Sequence, residues 1–171
     1  ASYDYQGKYY GQVSFRRDGS SVFGSNNRWG NFWSVGGKWR ISEEEFLKDN
    51  DLLTNLALRA SYGTVGNQDI DWYAARGFYS AGYNYDSTPG IVPESLNLPD
   101  LGWETSKKLN IGLDITFARK WNLTVDFYNE ATSNMLFELP ISQVTGLSEV
   151  YQNIGSMRNR GVEIGLNGTI L

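Results

Sequence analysis

The sequence predicts an all-β fold: an antiparallel wall of about seven strands, a segment of a transmembrane β-barrel. Three observations predict it. Apolar residues recur at every second position in segment after segment, the period of a strand with one dry and one wet face. The connections between these segments alternate between short and long, as in barrels with tight turns at one rim and large loops at the other. The composition joins 15% aromatic residues, 19 Gly and only 4 Pro to a mean hydropathy of −0.43. That combination fits strands that are apolar on alternate positions only. A soluble two-sheet β-sandwich shares the first and third features and stays open as the alternative.

The elements follow in order. A stub at 2–5 turns through Gln6 and Gly7 into a strand at 8–17, where Tyr9, Gly11, Val13 and Phe15 oppose Lys8, Tyr10, Gln12, Ser14 and Arg16. Residues 18–28, rich in Gly, Asn and Ser, read as a loop. A strand at 29–41 sets Trp29, Asn31, Trp33, Val35, Gly37, Trp39 and Ile41 against Gly30, Phe32, Ser34, Gly36, Lys38 and Arg40. Asn31 and Phe32 depart from its alternation. Ser42 and Glu45 have capping-box spacing, which predicts a short helix at 42–48. The next strand, 52–64, alternates from Leu52 to Tyr62 and Thr64.

Residues 65–101 form a long, irregular, aromatic stretch, too long for a compact soluble domain and acceptable as an extracellular barrel loop. A strand at 102–117 turns through 118–120 into another that places Trp121, Leu123, Val125 and Phe127 on one face. A loop spans 135–151. The last strand, 161–170, sets Val162, Ile164, Leu166 and Ile170 against Glu163, Gly165, Asn167 and Thr169.

Aromatic spacing favours lipid. Trp29 and Trp39 are ten residues apart on one face, about 25 Å along a barrel axis at ~3.3 Å rise and ~40° tilt, the height of a barrel's apolar band. Leu52 and Tyr62 repeat the interval, and Trp121 starts its strand at a turn. Trp29, Trp39, Tyr62 and Trp121 are therefore expected in the interfacial girdles. The opposite phase predicts lumen-facing polar residues: Arg16, Lys38, Arg40, Arg59, Lys108, Asp114, Asp126 and Glu163. Trp72, Tyr73, Phe78, Tyr79, Tyr83 and Tyr85 in the long loop are candidates for contact with a ligand or a partner protein.

Other function classes are poorly served. With no Cys and no His, zinc fingers, disulfide scaffolds, thiol nucleophiles and His-dependent triads are excluded. A net charge of −4 disfavours nucleic acid. No apolar run approaches the ~18 residues of a transmembrane helix. Glu43-Glu44-Glu45 reads as a solvated charge run. Asn67, Asp69 and Asp71 lack the remaining ligand spacing of an EF-hand, and nothing fixes Asp100 and Glu104 as a glycosidase pair. No enzyme, metal or cofactor is expected. The opening Ala1-Ser2-Tyr3-Asp4-Tyr5 lacks the basic start and apolar core of a signal peptide, so a mature form or a piece of a longer chain is expected.

Four stretches also resemble the SusC/RagA-like TonB-dependent outer-membrane transporters: Arg16 to Gly24 followed by Asn27-Arg28-Trp29-Gly30; Leu58 to Gln68; Leu101-Gly102-Trp103-Glu104 through Asp114; and Asn153-Ile154-Gly155 through Ile164. They stand in the family's order and cover nearly the whole chain. The resemblance implies the C-terminal part of a 22-stranded barrel in the bacterial outer membrane, without the TonB box and plug. It implies import of glycan or peptide oligomers, a SusD-like surface lipoprotein over the loops, TonB acting through the missing N-terminal region, and a barrel remainder that pairs the open edges. A surface or secreted carbohydrate-binding sandwich and a small eight-stranded structural barrel are the alternatives.

Overall fold

The structure, a computed structural model, describes residues 1–48 and 50–169. Among these residues the strands are β1 (Ser2–Tyr5), β2 (Tyr9–Gly19), β3 (Trp29–Arg40), β4 (Leu53–Asn67), β5 (Phe78–Tyr85), β6 (Thr88–Ser95), β7 (Glu104–Phe117), β8 (Trp121–Ser133), β9 (Leu136–Pro140), β10 (Glu149–Asn153) and β11 (Ser156–Gly168). Seven of them form one sheet in the order β1-β2-β3-β4-β7-β8-β11. All its pairings are antiparallel, and the ladders run in register apart from one irregularity between Leu53 and Asn55.

Because side chains alternate along a strand, register decides which rows share a face. Tyr9, Trp39, Leu58, Leu113, Val125 and Ile164 form one row, and Gly11, Gly37, Ala60, Ile111, Phe127 and Val162 the next on that face. On the reverse face a row runs Asp4, Tyr10, Lys38, Arg59, Gly112, Asp126 and Glu163. The sheet is thus apolar on one side and ionic on the other. Most of its large apolar side chains are solvent-exposed, Phe15 and Ile164 among them.

Two connections of the wall are three residues long, each opening on a pair of left-handed residues. Gln6 and Gly7 (φ +56° and +66°) join β1 to β2, and Ala118 and Arg119 (φ +49° and +56°) join β7 to β8. The bonds Lys8 N to Tyr5 O (3.0 Å) and Lys120 N to Phe117 O (3.2 Å) close them. Two left-handed residues match the strand twist; Ala118 and Arg119 adopt that backbone without glycine. The β3–β4 connection lies at the same rim. The connections 20–28, 68–103 and 134–155 lie at the other, although the expected short–long alternation fails at one point, since 41–52 is longer than 20–28.

The hydrophobic core sits among those long connections, not against the sheet. Phe23, Ala75 and Leu101 are buried together, with Val22, Ile70, Leu98, Trp103, Leu136 and Tyr151 packed around them. Phe23 meets the Trp103 ring at 4.9 Å, and Phe32 meets it edge-on at 5.4 Å.

Several expectations need correction. Residues 65–101 are not uniformly irregular: β4 continues to Asn67, and β5 and β6 pair as a hairpin. The 135–151 loop likewise holds the β9–β10 hairpin. The helix expected at 42–48 is a single 3-10 turn at Ile41–Glu43, without a side-chain cap bond. Seven residues cannot offset the cost of helix nucleation without a packed face, and Ser42 lies inside the turn, its hydroxyl buried without a partner. Leu52 precedes β4, so the Leu52–Tyr62 interval is not contained in one strand. β8 runs on to Ser133 and β11 begins at Ser156. Ile170 and Leu171 lie outside the described residues.

Phe32 and Asn31 depart from alternation for a local reason. Phe32 is 3% exposed on the ionic face, with the Arg16 guanidinium 5.5 Å from its ring centre. A Cβ at Gly30 or Gly66 would lie 2.5 or 2.1 Å from its ring. Asn31 lies on the apolar face opposite Arg17, whose guanidinium stacks over Trp29 at 5.0 Å. Polar groups enter the apolar face where β2 and β3 approach the long-loop rim.

Candidate functional site on the ionic face and the outer loops

All eight polar residues expected at the lumen fall on the ionic face. Its centre is an ion cluster. Arg59 Nε lies 3.1 Å from Asp114 Oδ2, and its Nη2 is 2.8 Å from the Asp126 carboxylate. Gly112 makes this possible: it stands between Arg59 and Asp126 in the row, and a Cβ there would lie 2.5 Å from Arg59 Cζ and from Asp126 Oδ1. Lys108 pairs with Glu130 at 2.9 Å, and Arg40 with Glu43 at 2.7 Å. Arg16 pairs with Asp18 at 3.1 Å. Lys38 and Glu163 complete the Arg59 row, cations toward β3 and carboxylates toward β11. A concavity of about 590 Å³ opens on this face between Asp4, Tyr10, Gln12, Lys38, Arg59 and Asn110, floored by Gly36 and Gly112.

The outer loops form a second site. Trp72, Tyr73 and Phe78 line a pocket of about 230 Å³ with Asp71, Glu94, Glu138, Glu149 and Tyr151. Aromatic walls give apolar stacking surface, and carboxylates accept hydrogen bonds from hydroxyl or amide donors. Partial desolvation and the adjacent Glu149 carboxylate raise the Glu138 carboxyl above its ordinary value. Burial, and the hydrogen bond to Asp71 at 2.9 Å, push the Tyr151 hydroxyl up to about 12. Tyr79, Tyr83 and Tyr85 lie elsewhere, on β5, with Tyr79 71% and Tyr85 86% exposed. The six aromatics therefore split: three at the pocket, three on an exposed hairpin. Of the three at the pocket, Tyr73 is engaged by Phe78 edge-on at 6.0 Å and by Arg76 at 5.4 Å.

The raised Tyr151 pKa has a consequence for stability. An unfolded tyrosine ionises near 10, whereas this one stays neutral to about 12. Its contribution is therefore full below pH 10 and is lost as pH rises from 10 to about 12. Alkaline unfolding of the outer loops, followed by proteolysis within 68–101, should have its midpoint inside that window. Tyr151→Phe should move the loss to higher pH; an unchanged profile would show that Tyr151 does not set it.

Sequence reasoning missed two organising residues. Asn153 bridges three strands of chain: its Oδ1 accepts from Gly102 N at 2.7 Å, and its Nδ2 donates to Gly102 O at 2.7 Å and Asn134 O at 3.0 Å. Glu44, read as part of a solvated run, gathers the turn rim. Its carboxylate accepts from Tyr9 OH and from Trp39 Nε1 at 3.1 Å, with Lys8 Nζ at 3.2 Å. Tyr9 and Trp39 stack at 6.2 Å beside it. The Tyr9 hydroxyl, the Trp39 indole and Lys8 hold the Glu44 pKa below 4.5. The matching positions of Tyr9 and Trp39 at the ends of their strands were the available signal.

The other acidic candidates are structural. Asp100 accepts from Asn26 at 2.8 Å, and Glu104 from Asn67 at 3.3 Å and Leu136 N at 3.2 Å. Asn67 Oδ1 accepts from Asp69 N at 3.1 Å. Among the described residues no group of three or more acidic side chains is placed to hold a metal.

Comparison with known proteins decides the family. A family model described as TonB dependent receptor-like, beta-barrel matches residues 1–170. The chain belongs to the TonB-dependent receptor β-barrel family. TonB-dependent receptor P39 of Formosa agariphila is 44% identical over 165 residues, 96% of this chain and 16% of that protein. TonB-dependent receptor SusC of Bacteroides thetaiotaomicron is 35% identical over 175 residues, 97% of this chain and 17% of that protein. The structure of the RagAB peptide transporter superposes with a TM-score of 0.90 at 37% identity, covering 99% of this chain and 19% of that one. The chain thus spans about a sixth of the curated relatives it matches. The sheet of this TonB-dependent receptor barrel is a stretch of barrel wall, open along β1 and β11 among the described residues. A sandwich would set a second sheet against its apolar face; the other two sheets are the two-stranded hairpins β5–β6 and β9–β10.

Proposed function

We propose that this chain is part of the wall and outer mouth of a bacterial outer-membrane importer of oligomeric nutrients, glycans or peptides. One observation carries the reading: seven strands keep an apolar and an ionic face apart, row by row. Hydrocarbon tolerates the first and a water-filled lumen requires the second. The apolar face meets lipid, with Trp39 and Trp121 at the inner girdle and Trp29 at the outer; Tyr62, whose ring meets Trp33 edge-on at 5.6 Å, completes the belt. The ion cluster and its concavity face the lumen, where the plug of the whole receptor seats. Residues 65–101 are extracellular, and energy comes from TonB acting on the plug.

The outer loops favour a lid partner. Exposed Trp72, Tyr79, Tyr83 and Tyr85 form the kind of aromatic surface that protein interfaces favour, and a SusD-like lipoprotein would cover it. The pocket between Trp72 and Tyr151 contributes stacking and acceptor groups to an arriving oligomer. Kinship with SusC and with the RagAB peptide transporter supports this reading. The test is purification of the intact receptor from outer membranes, with uptake of labelled glycan and peptide oligomers measured in parallel. A surface lipoprotein should co-purify, and the triple substitution Trp72→Ala, Tyr79→Ala, Tyr85→Ala should weaken that association at least about tenfold. Uptake should vanish without TonB. A receptor that binds no lipoprotein would refute the lid; TonB-independent uptake would refute the transport mechanism.

A further inference from the structure

The apolar face carries charge at one rim only, and of one sign. In β7 its phase runs Lys107, Leu109, Ile111, Leu113, Ile115 and Phe117; in β11 it runs Arg158, Arg160, Val162, Ile164 and Leu166. Lys107 and Arg158 both pair with Ala131 of β8, so they flank it in one row, roughly 10 Å apart by two inter-strand spacings. Arg160 stands in the adjacent row on the same face, beside Asn129. All three cations are exposed.

No carboxylate offsets them. Every Asp and Glu within the seven wall strands falls in the opposite phase: Asp4, Asp18, Glu104, Asp114, Asp126, Glu130 and Glu163. Among the described residues none of the ion pairs involves Lys107, Arg158 or Arg160. The ionic face behaves differently, since Arg16, Arg40, Arg59 and Lys108 each meet a carboxylate there.

The height of the cations is informative. Lys107 is ten residues from Phe117, which stacks on Trp121 at the turn rim. Ten tilted residues rise about 25 Å, the thickness of a barrel's apolar band. Between them, the first row inward holds Leu109, Asn129 and Arg160, and the rows below it are apolar: Ile111 with Phe127 and Val162, then Leu113 with Val125 and Ile164, then Ile115 with Leu123 and Leu166. With Trp121 at one boundary, Lys107 and Arg158 stand at the other. One row further out, Thr105, Ser133 and Ser156 supply hydroxyls. The face passes from hydrocarbon through two cation-bearing rows to hydroxyl within four rows.

We propose that Lys107, Arg158 and Arg160 form a binding site for the phosphate of an outer-leaflet membrane lipid, held against the outside of the barrel. The inference rests on the reading of the apolar face as lipid-facing. Guanidinium groups match phosphate oxygens with two donors each, and an ammonium adds a point charge. Acyl chains from such a lipid would run down the rows at Ile111 and Phe127, which only a lipid needs. A soluble anion would use the cations and leave those rows alone.

The test uses the intact receptor in nanodiscs of phosphatidylcholine doped with trace diazirine-acyl phosphatidylglycerol or diazirine-acyl phosphatidylcholine. Crosslinks are mapped by peptide mass spectrometry. The anionic probe should label 105–117 and 156–168 at least about fivefold more than the neutral one. The triple substitution Lys107→Gln, Arg158→Gln, Arg160→Gln should bring that ratio to one, while Lys120→Gln at the opposite rim leaves it unchanged. Labelling by both probes at a ratio of one in the unaltered receptor would overturn the phosphate site while sustaining the lipid-facing wall. Absence of labelling by either would overturn the wall reading itself. A preference erased by millimolar inorganic phosphate would overturn the lipid as the occupant.

Discussion

Phe23→Ala should collapse the outer loops while leaving the wall standing. Phe23 is 2% exposed and is the centre of the one buried apolar cluster among the described residues, against Ala75, Leu101 and Trp103. Truncating a buried Phe costs about 3–5 kcal/mol, part transfer and part cavity. A cluster this small has little else to hold it. Neighbouring backbone cannot close the gap, because Gly24 packs directly on the next loop: a Cβ there would be 2.2 Å from Pro99 O. The expected result is protease cleavage within 68–101 and 134–155 at temperatures where the unaltered receptor resists. The heat-dependent gel shift of the intact barrel should be retained. Loss of both together would show that loops and wall unfold as one unit.

Asn153→Ala ranks second. The amide works as a piece of borrowed backbone, giving one acceptor and two donors to Gly102 and Asn134. Gly102 is buried, so removing the amide leaves its N–H and C=O without partners or water. Each stranded group costs about 1–3 kcal/mol, and a total of ~3 kcal/mol is expected from thermal scans of the loop transition. Asn153→Asp is the informative companion. It keeps the acceptor for Gly102 N and removes both donors, so it should lose most of the same stability. An Asp variant equal to the unaltered receptor would show that only the acceptor matters. Asn153 and Phe23 serve the same loop assembly, so their double variant should fall short of additivity.

The wall was legible because each of its strands has two unlike surroundings. In 8–17 and 107–117 a strict period of two follows from that difference, and the registers reproduce it: Val13 opposite Val35, Ile111 opposite Phe127. The outer hairpins were not legible for the converse reason. Tyr79, Tyr83, Tyr85 and Ile91 are all exposed, so β5 and β6 have no buried face to impose alternation. Residues like Asn153 and Gly112 escape a sequence reading because their roles are written in other segments: the backbone at 102 and 134, the side chains of Arg59 and Asp126. Glu44 was hidden in an acidic run whose other members differ from it only in where they point. The family stretches were recognisable as strings before their physical sense was visible. In the structure Phe23, Gly24, Asn27, Leu101, Gly102, Trp103 and Asn153 meet in the outer loops, where Asn27 Nδ2 donates to Asp100 O at 2.6 Å and Gly24 N to Leu101 O at 2.9 Å.

The row of Lys38, Arg59, Gly112, Asp126 and Glu163 has one more effect, felt during assembly. Backbone pairing is indifferent to sliding: β11 shifted by one residue along β8 would still make a full ladder of backbone bonds. The shift would nevertheless turn Glu163 outward into the bilayer and Val162, Ile164 and Leu166 toward water. A carboxylate facing lipid on a barrel wall is destabilising, by less than the ~2–4 kcal/mol of a cation at the midplane, before the exposure of three aliphatic side chains is counted. The charged residues of the wall therefore act as proofreading marks: they penalise every odd-numbered misalignment of a strand as it enters the membrane.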